Sequence, residues 1–306
     1  MQSNVVAVGN EARLKIVENI SKEKGDLAFS PLLFYLQGGF RTDLSKFKCE
    51  TTHLLSLGLS HLDVSLNGGL TPGVHLIAGK PGDERMAFIV HLLDHFARQK
   101  FACIYLSKQE NKSSFIMKLL MRNHFIQDRN TPIQAQQLVN HLQRDPQYFE
   151  TAIEPISQVV KFISLENDLP EDLSHLEERM RYQKQRCEKS VFIIDIEENL
   201  AEKTKVMLDQ LVKIAHELQV HIIVSLDLSE NDFNNAKNGY VTTTKIESAV
   251  DSFILFSRSN TPEVSTTNDF NSPHLIEGLI RTNHPFPTLH KTFITHFPNY
   301  FYFQDA

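Results

Sequence analysis

The stretch with the clearest chemical purpose is Gly79-Lys80-Pro81-Gly82-Asp83-Glu84-Arg85-Met86, a short polar loop between two apolar segments. Its layout is that of a phosphate-binding loop of the form G-x-x-x-x-G-K-[ST]. In a working loop the glycines bring backbone N–H groups close to the phosphates, the Lys reaches the β- and γ-phosphates, and the hydroxyl ligates Mg²⁺. Here only Gly79 keeps its place. Glu84 replaces the second Gly, Arg85 the Lys and Met86 the Ser or Thr. A carboxylate at ~5 Å from a phosphate, with an effective dielectric of ~20, costs about 3 kcal/mol per like-charge pair, or over about a hundredfold in affinity. Arg85 keeps the charge but is planar and bulky where a flexible point charge serves, and the Met86 thioether is soft where Mg²⁺ takes a hard oxygen. Lys80, at the start of the loop, does not make up for these losses. A second chemical position is Asp195, the carboxylate ending the apolar run Ser190-Val191-Phe192-Ile193-Ile194-Asp195, where Mg²⁺ would be held if a nucleotide bound.

The elements that must position these groups alternate between the two secondary-structure periods. Residues 74–78 form an apolar strand into the loop, and residues 87–99 read as a helix with Phe88, Leu92 and Phe96 on one face. Residues 102–107, 190–195 and 220–226 read as further strands, with an amphipathic helix over 205–218. This alternation predicts an α/β fold with a mostly parallel central sheet flanked by helices. Residues 113–180 are mostly helical in pattern, and His124, His141 and His175 within them are dispersed, which predicts surface or boundary positions. Residues 1–50 read as a helical arm or linker preceding a core domain over 51–306. Ser30-Pro31 and the apolar run Leu32-Leu33-Phe34-Tyr35-Leu36 lie in that arm.

Composition narrows the function. At 41% hydrophobic and 22% charged residues the chain has ordinary globular character. Cys49, Cys103 and Cys187 are far apart with no C-x-x-C pair, so neither a zinc site nor a disulfide framework is indicated, and a cytoplasmic setting is expected. No apolar run reaches the length of a membrane span. The formal net charge of −6 argues against a strong nucleic-acid grip, which needs an excess of Lys and Arg.

The run Gly58-Leu59-Ser60-His61-Leu62-Asp63-Val64-Ser65-Leu66-Asn67-Gly68-Gly69-Leu70-Thr71-Pro72-Gly73 resembles the "G-x-x-x-L-D-x-x-x-x-G-G-L-x-P-G" lead-in to the RecA-like ATPase core of DnaB-type replicative helicases. The resemblance continues to about residue 303. It takes in Lys213, Ala215, Glu217, Leu218, Val220 and Ile222, then Ile246-Glu247-Ser248-Ala249-Val250-Asp251, then the closing hairpin. It implies a RecA-like P-loop fold and names the positions where chemistry would occur. The catalytic Glu position falls on Gln109, an amide that takes no proton. Glu110 is the candidate substitute, although a one-residue shift at a strand end turns a side chain the other way. The γ-phosphate sensor position holds Asp227 in place of Gln. The two positions that reach a neighbour's γ-phosphate hold Arg281, which keeps charge, and Asn283, which does not. The family's second DNA-facing loop falls on residues 230–244, which read as a polar, turn-rich surface loop. The aromatic residues of the closing hairpin, from Phe293 to Phe303, are expected to pack in the core.

The family landmarks are kept and the chemical positions changed. This pattern predicts a catalytically degenerate ATPase-fold protein acting as a scaffold or regulatory subunit, in a homo-oligomer or with a helicase-like partner. No cofactor is required on this reading, ATP and Mg²⁺ binding weakly, and nucleic acid is bound weakly or not at all. Two alternatives remain: a divergent DNA-dependent ATPase or helicase using Lys80, Arg85, Glu110 and Asp195, and a nucleotide sensor that binds without turnover.

Overall fold

The computed structural model describes residues 54–306 apart from 132, 168–172, 197–200, 239–245, 259–272 and 284–287. The arm expected over residues 1–50 lies outside the described residues. The sheet is built on β1 (Gly73–Gly79), buried along its whole length. That strand lies between β5 (His221–Asp227) and β6 (Ser252–Arg258), both parallel to it. β4 (Ser190–Ile196), β2 (Ala102–Leu106) and β3 (Ile163–Glu166) extend the parallel part on one side. On the other side β7 (His274–Thr282), β8 (Thr288–Phe297) and β9 (Tyr302–Asp305) form an antiparallel extension. The order is β3-β2-β4-β5-β1-β6-β7-β8-β9.

Both faces of the parallel strands are covered, which explains their near-continuous apolar sequences. One face packs against α1 (Ser60–Ser65), α2 (Asp83–Arg98), α3 (Lys112–Gln127), α4 (Ala135–Arg144) and α5 (Pro146–Val160), with Leu62, Phe88, Leu92, Phe96, Leu119 and Ile156 in that core. The other packs against α6 (Leu173–Arg186), α7 (Ala201–Leu218) and α8 (Glu230–Lys237), through Met180, Leu208, Leu211 and Phe233. Phe88, Leu92 and Phe96 all lie inward on α2, as their spacing predicts.

The motif before β1 has a structural role that its residues explain. Asp63 on α1 accepts from Ser56 Oγ at 2.6 Å and from the Leu57 N–H at 2.7 Å, tying down the segment that leads into the domain. At Gly69, φ is +137° and an added Cβ would lie 2.7 Å from the Leu55 carbonyl oxygen, so only glycine lets these two backbone segments pair. The far end of the chain closes on the same place. Asp305 accepts from the N–H groups of Ser60 and His61, both at 3.0 Å, at the N-terminus of α1.

Three expectations need correction. Residues 113–180 are not helical throughout, because β3 interrupts them; Ile163-Ser164-Leu165-Glu166 is too short to announce itself and is held by pairing with β2. The stretch from residue 230 is not a loop in its first half. Ser229 caps α8 by accepting from the Asp232 N–H at 3.2 Å, Glu230 and Asp232 sit in its positive first turn, and Phe233 and Ala236 are buried. Residues 239–244 lie outside the described residues. The aromatic residues near the C-terminus divide: Tyr300 and Phe303 are core, with Phe303 stacked on His296 at 4.2 Å, whereas Phe293 on β8 is exposed.

Candidate functional site: a phosphate-loop position closed by arginine

The carboxyl ends of β1, β4 and β5 lie side by side. Asp195 pairs in register with Ser225, and Gly79 with Asp227. In an open α/β sheet this end is where ligands bind. α2 starts directly after the loop, with Gly82 as an N-cap that supplies no side-chain cap. Glu84, Arg85 and Met86 occupy its first turn. Successive helical side chains diverge by about 100°, so each of the three finds a different neighbour.

Arg85 turns toward β4 and β5. It is buried, and its Nη1 donates to Asp195 Oδ1 at 2.5 Å while Nε and Nη2 reach Asp227 Oδ1 at 3.1 and 3.0 Å. Nη1 also contacts Ser225 Oγ. Asp195 is satisfied from the other side by Ser225 Oγ at 2.9 Å and Ser107 Oγ at 3.1 Å. The planar guanidinium thus bridges two carboxylates, a task its fork geometry suits and a lysine's point charge does not. The side chains of Arg85, Asp195 and Asp227 are 7%, 6% and 18% exposed. In so dry a setting each charge depends on the others to offset its lost hydration.

Glu84 turns the other way and is paired with Arg258 at the end of β6. The phosphate repulsion expected from an uncompensated Glu84 therefore needs correction, because Arg258 neutralises it. Met86 points toward β2, where its Sδ accepts from the Tyr105 hydroxyl at 3.3 Å. Burial pushes the Tyr105 phenol well above its ordinary range. Lys80 extends from the loop to Glu230 on α8, at 2.6 Å, with its ammonium 4.9 Å from the centre of the Phe233 ring. The Lys80 hydrogen bond holds the Glu230 carboxyl below the usual carboxylate range.

The remaining positions are dispersed. Gln109 is exposed, while Glu110 is buried and paired with Lys118, and the Asn167 side chain donates to the Glu110 carbonyl at 2.6 Å. A carboxylate so engaged is a poor base for an attacking water. Asn283 donates to the Val250 carbonyl at 2.6 Å, and Arg281, close to it on β7, is partly buried. Sequence reasoning missed Ser107, Ser225 and Arg258 as members of this network. A signal for part of it was present, since positions 85 and 227 depart from the family pattern with opposite charges.

A Mg²⁺–nucleotide does not fit these residues. The Asp195 oxygens that would take the metal shell accept from Arg85, Ser225 and Ser107, and Met86 offers sulfur where a hydroxyl would ligate. A cavity of about 510 Å³ adjoins the loop on the side of β6 and α8, lined by Lys80, Phe233, Lys237, Phe256, Arg258 and Ile276 among others.

No protein-family model and no curated protein matches the sequence. Solved structures do match. The ATPase domain of a DnaB-like helicase, solved on its own, superposes with a TM-score of 0.66 at 16% identity, covering 88% of this chain and 97% of that one. The fold is that of a DnaB-type, RecA-like ATPase domain. A DnaB-like replicative helicase, solved in a study of its interactions with primase, matches with a TM-score of 0.67 at 16% identity, over 96% of this chain and 71% of that chain. At this identity the likeness concerns the DnaB-type fold. No helix among the described residues is long and apolar enough to cross a membrane.

Proposed function

We propose that this chain is a nucleotide-independent member of the DnaB-like architecture, a scaffold or regulatory subunit whose ATPase site has become a structural ion cluster. The observation that carries the reading is Arg85 bridging Asp195 and Asp227. A protein cation occupies the carboxylate that would organise the metal. The altered loop positions have each found a structural partner: Glu84 with Arg258, Met86 with Tyr105. Random loss of activity would leave buried charges without counterions, which is costly; here they are matched.

The role that remains for such a core is assembly, as a homo-oligomer or with a helicase-like partner, the arm of residues 1–50 contributing apolar surface through Leu32, Leu33, Phe34 and Leu36. Arg281 and Asn283, which would reach across to a neighbour's phosphate in an active ring, serve on this reading as protein contacts only. Light scattering on the full chain without nucleotide tests it, alongside a version beginning at Thr51. Oligomers of the full chain that are weakened by the truncation are expected. A chain that stays monomeric at tens of micromolar and captures no helicase-like protein in pull-downs contradicts the proposal.

A further inference from the structure

The ion pairs around the loop fall into two groups that differ in how readily they exchange. The Arg85–Asp195–Asp227 cluster is buried and closed. The cavity beside it is bordered by pairs that face solvent: Lys80 and Glu230 are 44% and 69% exposed, and Arg258 is 62% exposed against 18% for Glu84. Exposed pairs of this kind contribute little and give up a partner easily. A third cation, Lys237, lines the same cavity and forms no ion pair among the described residues. Lys80, Lys237 and Arg258 therefore converge on one space of about 510 Å³, over walls formed in part by Phe233, Phe256 and Ile276.

We infer that this cavity binds a small polyphosphate anion without a divalent metal. The three cations supply charge-assisted donors, and an entering anion replaces Glu230 at Lys80 and Glu84 at Arg258. No free carboxylate or hydroxyl among the described loop residues is left to hold Mg²⁺, since Asp195 is engaged and residue 86 is methionine. Mg²⁺ then competes with the lysines for the anion, so the metal dependence is the reverse of that of a hydrolytic phosphate loop. The inference rests on the proposed reading of the Arg85 cluster as permanent.

Isothermal titration of the full chain with inorganic pyrophosphate and with ATP, each in EDTA and in excess Mg²⁺, tests this. Saturable binding in EDTA that weakens with Mg²⁺ is expected for both probes. Lys237→Ala should lower affinity about tenfold, the loss expected for one charge-assisted hydrogen bond. Because Lys237 lies in the last turn of α8 without an ion pair among the described residues, thermal melting should show that variant folded like the parent. Neither probe binding at millimolar concentration, binding that requires Mg²⁺, or binding unaffected by Lys237→Ala would overturn the inference. Phosphate release during the ATP titration is a separate readout: it would count against the proposed function, whereas absent binding without turnover would count against the polyphosphate site alone.

Discussion

Replacing Arg85 by Ala removes the cation between Asp195 and Asp227. Both carboxylates remain, Asp195 almost fully buried, and the electrostatic balance of the carboxyl ends of β4 and β5 is lost. Breaking one partner out of a buried ion pair typically costs about 3–5 kcal/mol, because the charge left behind is uncompensated. In a domain of this size about 1 kcal/mol corresponds to roughly 2–4 °C in melting temperature, so the midpoint should fall by about 6–20 °C. Urea denaturation should show a lowered midpoint at unchanged slope. Asp227→Ala alone should cost less, since Arg85 keeps Asp195. The double variant Arg85→Ala, Asp227→Ala should be more stable than the sum of the single losses predicts, because removing Asp227 relieves the unpaired charge. Arg85→Lys should fall between the parent and Arg85→Ala, as charge is kept and the fork lost. A loss below about 1 kcal/mol for Arg85→Ala, or strict additivity in the cycle, would refute the reading of a buried, mutually dependent cluster.

Two other predictions concern charge. Burial lowers His91 well below the ordinary histidine range and pulls His296 down to about 3, and neither His296 ring nitrogen has a hydrogen-bond partner among the described residues. Because the unfolded chain takes up protons near pH 6.5 and these folded-state histidines do not, their share of stability is full above that pH. It is lost as pH falls below it, by up to about 1.4 kcal/mol per pH unit for each histidine. His296→Phe should therefore flatten the decline of melting temperature between pH 6.5 and 5, measured by circular dichroism; an unchanged slope would count against it. Single-stranded DNA should bind no tighter than the ~10⁻⁴–10⁻⁶ M of non-specific contact at physiological salt, as the net charge of −6 implies. Nanomolar binding with a steep salt slope in fluorescence anisotropy would contradict this.

Much of the fold was legible because burial leaves a periodic trace. The strands around β1 read as apolar runs, the inward face of α2 as Phe88, Leu92 and Phe96, and the glycine pair before β1 as a turn. β3 was not legible, since four residues that take their order from β2 carry no period of their own. α8 was hidden for another reason: Glu230, Asn231, Asp232, Asn234 and Asn235 look like a loop, and only the Ser229 cap and the spacing of Phe233 and Ala236 mark a helix. At the site, the departures at 84, 85, 86 and 227 were visible in the sequence, but each stood as a separate defect. Their meaning lies in contacts between residues more than a hundred positions apart, Arg85 with Asp195 and Asp227 and Glu84 with Arg258, which no local spacing reveals.

The central claim is that a protein cation has taken the place of the metal and the chemistry. The most direct measurement is release of inorganic phosphate from ATP in Mg²⁺ by the purified full chain, with and without single-stranded DNA, beside an Asp195→Ala control. Release at the enzyme-free background is predicted in every case. Turnover by the parent that Asp195→Ala abolishes would contradict the claim.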